Sequence, residues 1–144
     1  MDSRLESFLL GKSMKPSLRY LGYSVILMAL FFGQPYLVGN FEMGSPSRLL
    51  MNPFGVAVSA IILAGIHTYR NGGILVSIAV AVIIISGYTL YGVISLSHPQ
   101  PDYGILTGVG SAILYGVPIG IVSSTVAFAF RRFAPTQLAV AEKK

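Results

Sequence analysis

The chain contains no cysteine, and charged residues make up only 10% of its 144 residues. Without cysteine it can form no disulfide, thiolate metal site, cysteine nucleophile or cysteine-bound iron–sulfur cluster. Soluble domains carry about 25% charged residues, so this chain has too few to cover a surface that faces water. The scarcity of charge indicates an integral membrane protein.

The long apolar segments contain no Lys, Arg, Asp or Glu. These segments are residues 20–38, 49–68, 73–96 and 104–130. Each has about the 20 predominantly apolar residues that a membrane-spanning helix needs. We therefore predict an all-α integral membrane protein with four transmembrane helices. Ionisable groups inside a span are the usual mark of an ion path, so their absence weighs against transport.

The basic residues lie at the ends of the apolar segments and predict their orientation. Nine of the ten Lys and Arg residues precede the first segment, separate the second from the third, or follow the fourth, and only Arg48 lies on the other side. An excess of Lys and Arg marks the cytoplasmic side. Both termini are therefore predicted to be cytoplasmic, with the cell membrane as the expected location. Because this placement accounts for the net charge of +5, a nucleic-acid partner is not expected.

Short links between the segments predict one membrane domain over residues 1–144, arranged as an up-down-up-down four-helix bundle. Residues 1–19 are predicted to be cytoplasmic, either as a short interfacial helix or as a partly disordered tail. Residues 131–144 form the predicted cytoplasmic tail. The third segment is almost wholly branched aliphatic, which suits either contact with lipid or a dry helix seam.

Small residues recur at every fourth position of the last segment. This ladder consists of Gly104, Gly108, Ala112, Gly116, Gly120 and Ser124. Small residues let helix backbones approach closely in lipid, so the ladder is predicted to be a helix-packing interface. Successive members turn about 40° around the helix. The ladder therefore requires either one strongly crossing neighbour or two different neighbours, and we expect one side to be available to a partner.

The two histidines are predicted to lie about a membrane thickness apart. His67 ends the second segment and His98 lies in an outer loop, so they cannot share a metal or haem within one chain. Each is expected to face water or lipid headgroups. No metal site and no cofactor are predicted.

A few polar side chains lie deeper and are candidates for cavity or partner contacts. Tyr88 and Tyr115 are far from the predicted span ends, and the amide of Gln34 needs hydrogen-bond partners near the outer interface. No nucleophile, acid and base occur in a catalytic arrangement, so the chain is not expected to be an enzyme.

These features favour a non-catalytic accessory or structural subunit of a larger membrane complex. By analogy with small helical subunits, that complex is an energy-converting or respiratory one. The expected partners are the lipid bilayer and other membrane subunits or copies of the chain. Two alternatives stay open: a small homo-oligomeric transporter or channel, and a structural membrane protein of a virion or vesicle.

Overall fold

The computed structural model describes residues 8–38, 52–95 and 104–133, without the side chains of residues 34–38 and 95. The secondary structure in these ranges is entirely helical. The long helices are α1 (Met14–Val38), α2 (Pro53–Asn71), α3 (Ile74–Ser95) and α4 (Ile105–Phe133). A short helical turn at residues 8–10 precedes α1. The prediction of an all-helical protein is confirmed for this part of the chain.

Three of the helical segments are long and apolar enough to cross a membrane. They are Phe8–Gly33, Ile74–Ile94 and Ile105–Phe133. Helix α2 is not among them, because its last turn carries the polar run from His67 to Asn71 and this lowers its hydropathy. Among the described residues there are therefore three candidate membrane-spanning helices, where the sequence predicts four.

The helices extend beyond the apolar segments at the ends that carry basic residues. Helix α1 begins at Met14, earlier than the predicted start at residue 20, and α4 continues past residue 130 to Phe133. Long basic side chains at helix ends can reach the interface while their stems cover apolar surface. The predicted N-terminal segment, residues 1–19, is described from residue 8 onward, and its residues 14–19 belong to α1. The predicted outer loops and most of the C-terminal tail fall on residues 39–51, 96–103 and 134–144, which lie outside the described ranges, as do residues 1–7.

Helix α2 is capped at both ends by the residues that its sequence provides. The Asn52 side chain accepts a hydrogen bond of 2.7 Å from the Gly55 amide, and Pro53 occupies the first turn, where its missing N–H is harmless. Gly72 ends the helix in the left-handed conformation at φ 84°, and its N–H donates to the Thr68 carbonyl over 2.8 Å. The turn through Gly72 and Gly73 therefore sends α3 back alongside α2.

Helix α3 occupies the centre of the bundle and contacts each of the other three helices. It runs antiparallel to α4, because Gly108 lies beside Leu90 and Gly120 beside Ile78. Its buried side chains include Val80, Ala81, Ile84 and Ile85, and they meet buried alanines of the neighbouring helices. Of the two environments considered for this aliphatic segment, the structure shows the dry helix seam.

Candidate functional site

Helices α1 to α4 meet in a buried group of polar side chains. We call it the polar cluster and define it as the side chains of Ser17, His67, Thr68, Asn71, Ser77 and Ser124, together with the backbone of Ser13, whose side chain is exposed. Ser13 immediately precedes α1, and the other six residues lie within the helices. The cluster sits at the end of the bundle where α1 and α3 begin and α2 and α4 end.

His67 lies at the centre of the polar cluster with no exposed surface. Its Nδ1 atom is 2.8 Å from Ser77 Oγ, and its Nε2 atom is 3.3 Å from Ser17 Oγ. The ring of Tyr20 packs edge-on against the imidazole, with 5.2 Å between ring centroids. The expectation that His67 faces water or headgroups is therefore wrong. Its position on the inner face of α2 encloses it between α1 and α3, and both ring nitrogens have hydroxyl partners there.

A chain of hydroxyls joins α4 to α2 and α3. Ser124 Oγ is 3.0 Å from Thr68 Oγ1, which is 2.6 Å from Ser77 Oγ. Because a carbonyl can only accept, Ser77 donates its proton to the Gly73 carbonyl over 3.0 Å. Ser77 then accepts from Thr68 and from His67 Nδ1, and Thr68 accepts from Ser124. This assignment, inferred from the donors and acceptors, satisfies every contact in the chain.

Asn71 connects the end of α2 to the start of α1. Its side-chain amide donates to the Ser13 carbonyl over 2.9 Å and to Ser17 Oγ over 2.8 Å, while its Oδ1 atom accepts from the Ser13 amide over 3.0 Å. The Asn71 carbonyl also accepts from the Lys12 amide over 2.8 Å. One residue thus holds both the backbone and a side chain of the N-terminal region against α2.

The chemistry that this arrangement supports is helix joining. Each buried side-chain nitrogen or oxygen in the described ranges has a hydrogen-bond partner. A satisfied buried network fixes one arrangement of the helices, because separating them would leave its polar groups unpaired. Within those ranges, no three residues of His, Cys, Asp or Glu come together as metal ligands. His98 lies outside the described residues.

The small-residue ladder lies for most of its length against α3 of the same chain. Cβ atoms built at Gly116 and Gly120 would be 2.7 Å from Val82 Cα and 2.6 Å from Ile78 Cα. One at Gly108 would be 3.2 Å from side-chain atoms of Leu90 and Val93. Ala112 is buried and Ser124 belongs to the polar cluster, whereas Gly104 faces open space. The ladder therefore packs against a single neighbouring helix, α3, at Gly108, Gly116 and Gly120.

Tyr88 and Tyr115 both line a cavity between α2, α3 and α4. The cavity has a volume of about 440 Å³ and lies near the start of α2, away from the polar cluster. Its remaining lining residues are Pro53, Val56, Ala57, Ile85, Thr89 and Ile119. Gln34 lies in α1, but its side chain is outside the description.

Sequence reasoning missed the polar cluster as a unit. One signal was available: Asn71 follows His67 by four residues and Thr68 by three, so its side chain lies on the same side of the helix as both. Ser77 and Ser124 gave no comparable sign, because single hydroxyls in apolar helices usually bond to their own backbone.

No protein-family model, curated protein or solved structure matches the chain.

Proposed function

We propose that the chain is a non-catalytic accessory subunit of a larger membrane complex, with all four helices spanning the bilayer. Helix α2 has 19 residues, which gives a length of about 28 Å, close to the thickness of the hydrocarbon core. It runs back alongside α3 from the Gly72–Gly73 turn, and Val56, Ala60 and Ala64 are buried in the bundle. A bilayer that surrounds α3 and α4 therefore surrounds α2 as well, and the polar end of α2 is sheltered within the polar cluster.

The distribution of charge supports a cytoplasmic position for both termini. The described ranges contain six basic and no acidic residues, and all six lie at the bundle end that holds the polar cluster. They are Lys12, Lys15, Arg19, Arg70, Arg131 and Arg132. Such an excess of Lys and Arg marks the cytoplasmic side. With four spans in up-down-up-down order, the two ends of the chain share this side.

The observation that carries the proposed assembly is a groove between α2 and α4, which we call the outer groove. Gly65, which has no side chain, lies in it beside the buried small residues Ser123 and Ala127, and the bulky residues Ile61 and Phe130 also line it. A Cβ atom at Gly65 would contact nothing within 4 Å, so the α2 backbone is open to an approaching helix there. Small residues that face outward in a membrane permit close helix association. The proposed occupant is an apolar helix of a partner subunit.

The interior of the bundle supports a structural role over a transport path through a single chain. Ala60 and Ala64 of α2 and Val80 and Ile84 of α3 have no exposed surface. Along their helices they lie between the cavity that contains Tyr88 and the polar cluster. These tightly packed side chains separate the cavity from the polar cluster, and protein interiors packed in this way leave no room for a hydrated solute.

The experiment that tests the outer groove compares two glycine-to-leucine variants. Gly65 and Gly22 are matched in that a Cβ atom added at either position has no neighbouring atom within 4 Å. We expect Gly65→Leu to reduce co-purification of partner proteins from gentle detergent at least about tenfold, as loss of close helix packing predicts. Gly22→Leu, on α1, should retain them.

Retention of all partners by Gly65→Leu would overturn the proposed interface. If wild-type protein instead purifies only with itself and moves a solute in reconstituted vesicles, a homo-oligomeric transporter replaces the accessory subunit. Recovery as a closed particle of very high copy number would identify the structural protein of a virion or vesicle.

A further inference from the structure

The cavity between α2, α3 and α4 has the size and lining of a site for a small apolar molecule. Its volume of about 440 Å³ lies within the range of roughly 300–1,000 Å³ that ligand pockets occupy. Val56, Ala57, Ile85 and Ile119 form apolar walls. None of its lining residues is charged, so the cavity does not provide the ion pairs that a charged ligand needs at low dielectric.

The polar groups of the cavity are the hydroxyls of Tyr88, Thr89 and Tyr115. Thr89 donates within α3, to the carbonyl of Ile85 or Ser86 over 3.3 Å. Within the described ranges, neither tyrosine hydroxyl makes a hydrogen bond to the protein. Two tyrosines therefore line the same largely apolar space, and neither hydroxyl has a protein acceptor within the described ranges.

The position of Tyr115 shows why those donors matter. It follows the start of α4 by ten residues, which places it about 15 Å along the helix. At the corresponding depth a spanning helix is surrounded by hydrocarbon, where an unpaired polar group is costly. The side chain is 59% exposed, so the cavity also reaches the outer surface of the bundle, through which a molecule dissolved in the bilayer can enter.

We propose that this cavity binds an apolar, membrane-soluble molecule that carries a carbonyl oxygen. The oxygen accepts a hydrogen bond from Tyr88 or Tyr115, and the apolar body packs between Val56, Ile85 and Ile119. A pure hydrocarbon would fill the same space and leave both donors unpaired. We therefore expect a carbonyl compound to bind more tightly than a hydrocarbon of the same shape. This site is separate from the outer groove and does not depend on a partner subunit.

The test measures binding of two probes to the full chain by native mass spectrometry from detergent. The first probe is a benzoquinone with a decyl chain, and the second is decylbenzene, which has the same chain and no oxygen. We expect one quinone per chain and at least about tenfold weaker retention of decylbenzene, as loss of a buried hydrogen bond predicts. Equal retention of the two probes would overturn the role of the carbonyl.

Matched variants locate the binding site. The double variant Tyr88→Phe/Tyr115→Phe removes only the hydroxyls and should bring the affinity for the quinone down to that for decylbenzene. Ala57→Phe places a large side chain in the cavity and should abolish binding of both probes. Ile62→Phe changes an exposed residue of the same helix and should bind like the wild type.

Unchanged quinone binding in the double tyrosine variant would overturn the proposal. If Ala57→Phe fails to fold by circular dichroism, the tyrosine variants still decide the question, because they keep the ring volumes. Binding that survives in both the tyrosine and the folded Ala57→Phe variants would show only partitioning into the protein's lipid-facing surface.

Discussion

Gly120 lies so close to Ile78 that a Cβ atom at position 120 would be 2.6 Å from the Ile78 Cα atom. At position 120 the backbones of α4 and α3 therefore lie too close together to leave room for a side chain. This relationship makes the ladder a requirement of the bundle itself, and the outer groove becomes the candidate surface for partners.

Alanine substitutions within α4 should have opposite effects at buried and open glycines. Gly120→Ala should lower the free energy of unfolding by about 1–3 kcal/mol, because the added methyl group overpacks against the α3 backbone. Gly110 faces open space, so Gly110→Ala should raise the free energy of unfolding by up to about 1 kcal/mol, because alanine has a higher helix propensity than glycine. Reversible unfolding in detergent, followed by circular dichroism, measures both. Equal effects would contradict the close approach of α4 to α3.

Leucine substitutions at Gly116 or Gly120 should disrupt the bundle as well as any assembly. The reason is that both glycines pack against α3 of the same chain. The amount of folded monomer recovered in detergent measures the effect, with Gly110→Leu as the control. Recovery of as much folded Gly120→Leu monomer as of wild-type monomer would contradict this prediction.

Asn71→Ala should release the N-terminal region from α2. The variant loses the side-chain bonds to the Ser13 amide, the Ser13 carbonyl and Ser17, at a cost of about 2 kcal/mol. Hydrogen exchange at the Ser13 amide should accelerate more than at the Lys12 amide, which is bonded to the Asn71 backbone carbonyl. Identical acceleration at the two amides would show that the side chain of Asn71 is not the specific anchor.

A double-mutant cycle should detect the bond between His67 and Ser77. The variants His67→Ala and Ser77→Ala should couple by about 1 kcal/mol or more in the free energy of unfolding, because each removes the other's partner. Ser59 is a matched control, since its hydroxyl bonds only to the Gly55 carbonyl within α2. His67→Ala and Ser59→Ala should be additive. Additivity of both pairs would contradict the network.

Cysteine labelling should distinguish four spans from three, because the natural chain has no cysteine. In intact cells, an impermeant maleimide should label Ser45→Cys in the predicted outer loop between the first two apolar segments. It should label Arg70→Cys, at the end of α2, only after permeabilisation. If α2 did not cross the bilayer, both cysteines would lie on one side and show the same accessibility.

The sequence could predict the apolar helices because their length is set by the bilayer. The sequence could not predict where each helix begins and ends. Lys15 and Arg19, for example, lie within α1 but before its apolar segment. The aliphatic third segment was equally compatible with lipid and with a dry seam. Only its contacts with the other helices, which are the most extensive in the bundle, identify it as the central helix.

The burial of His67 could not be predicted because its partners are distant in sequence. Ser17 lies 50 residues earlier, and Ser77 is reached only after the chain reverses at Gly72. A lone histidine at a span end is normally a headgroup contact, and here the tertiary fold overrides that local pattern. The neighbour of the ladder was ambiguous for the same reason, because helical periodicity gives directions around an axis but does not say which helix lies there.

The most direct measurement of the central claim is the mass and composition of the complex that the wild-type chain forms in gentle detergent. Native mass spectrometry should find the chain in a heteromeric assembly with larger membrane proteins, at a fixed stoichiometry. A monomer or a homo-oligomer as the sole species, without any other protein, would contradict the role as an accessory subunit.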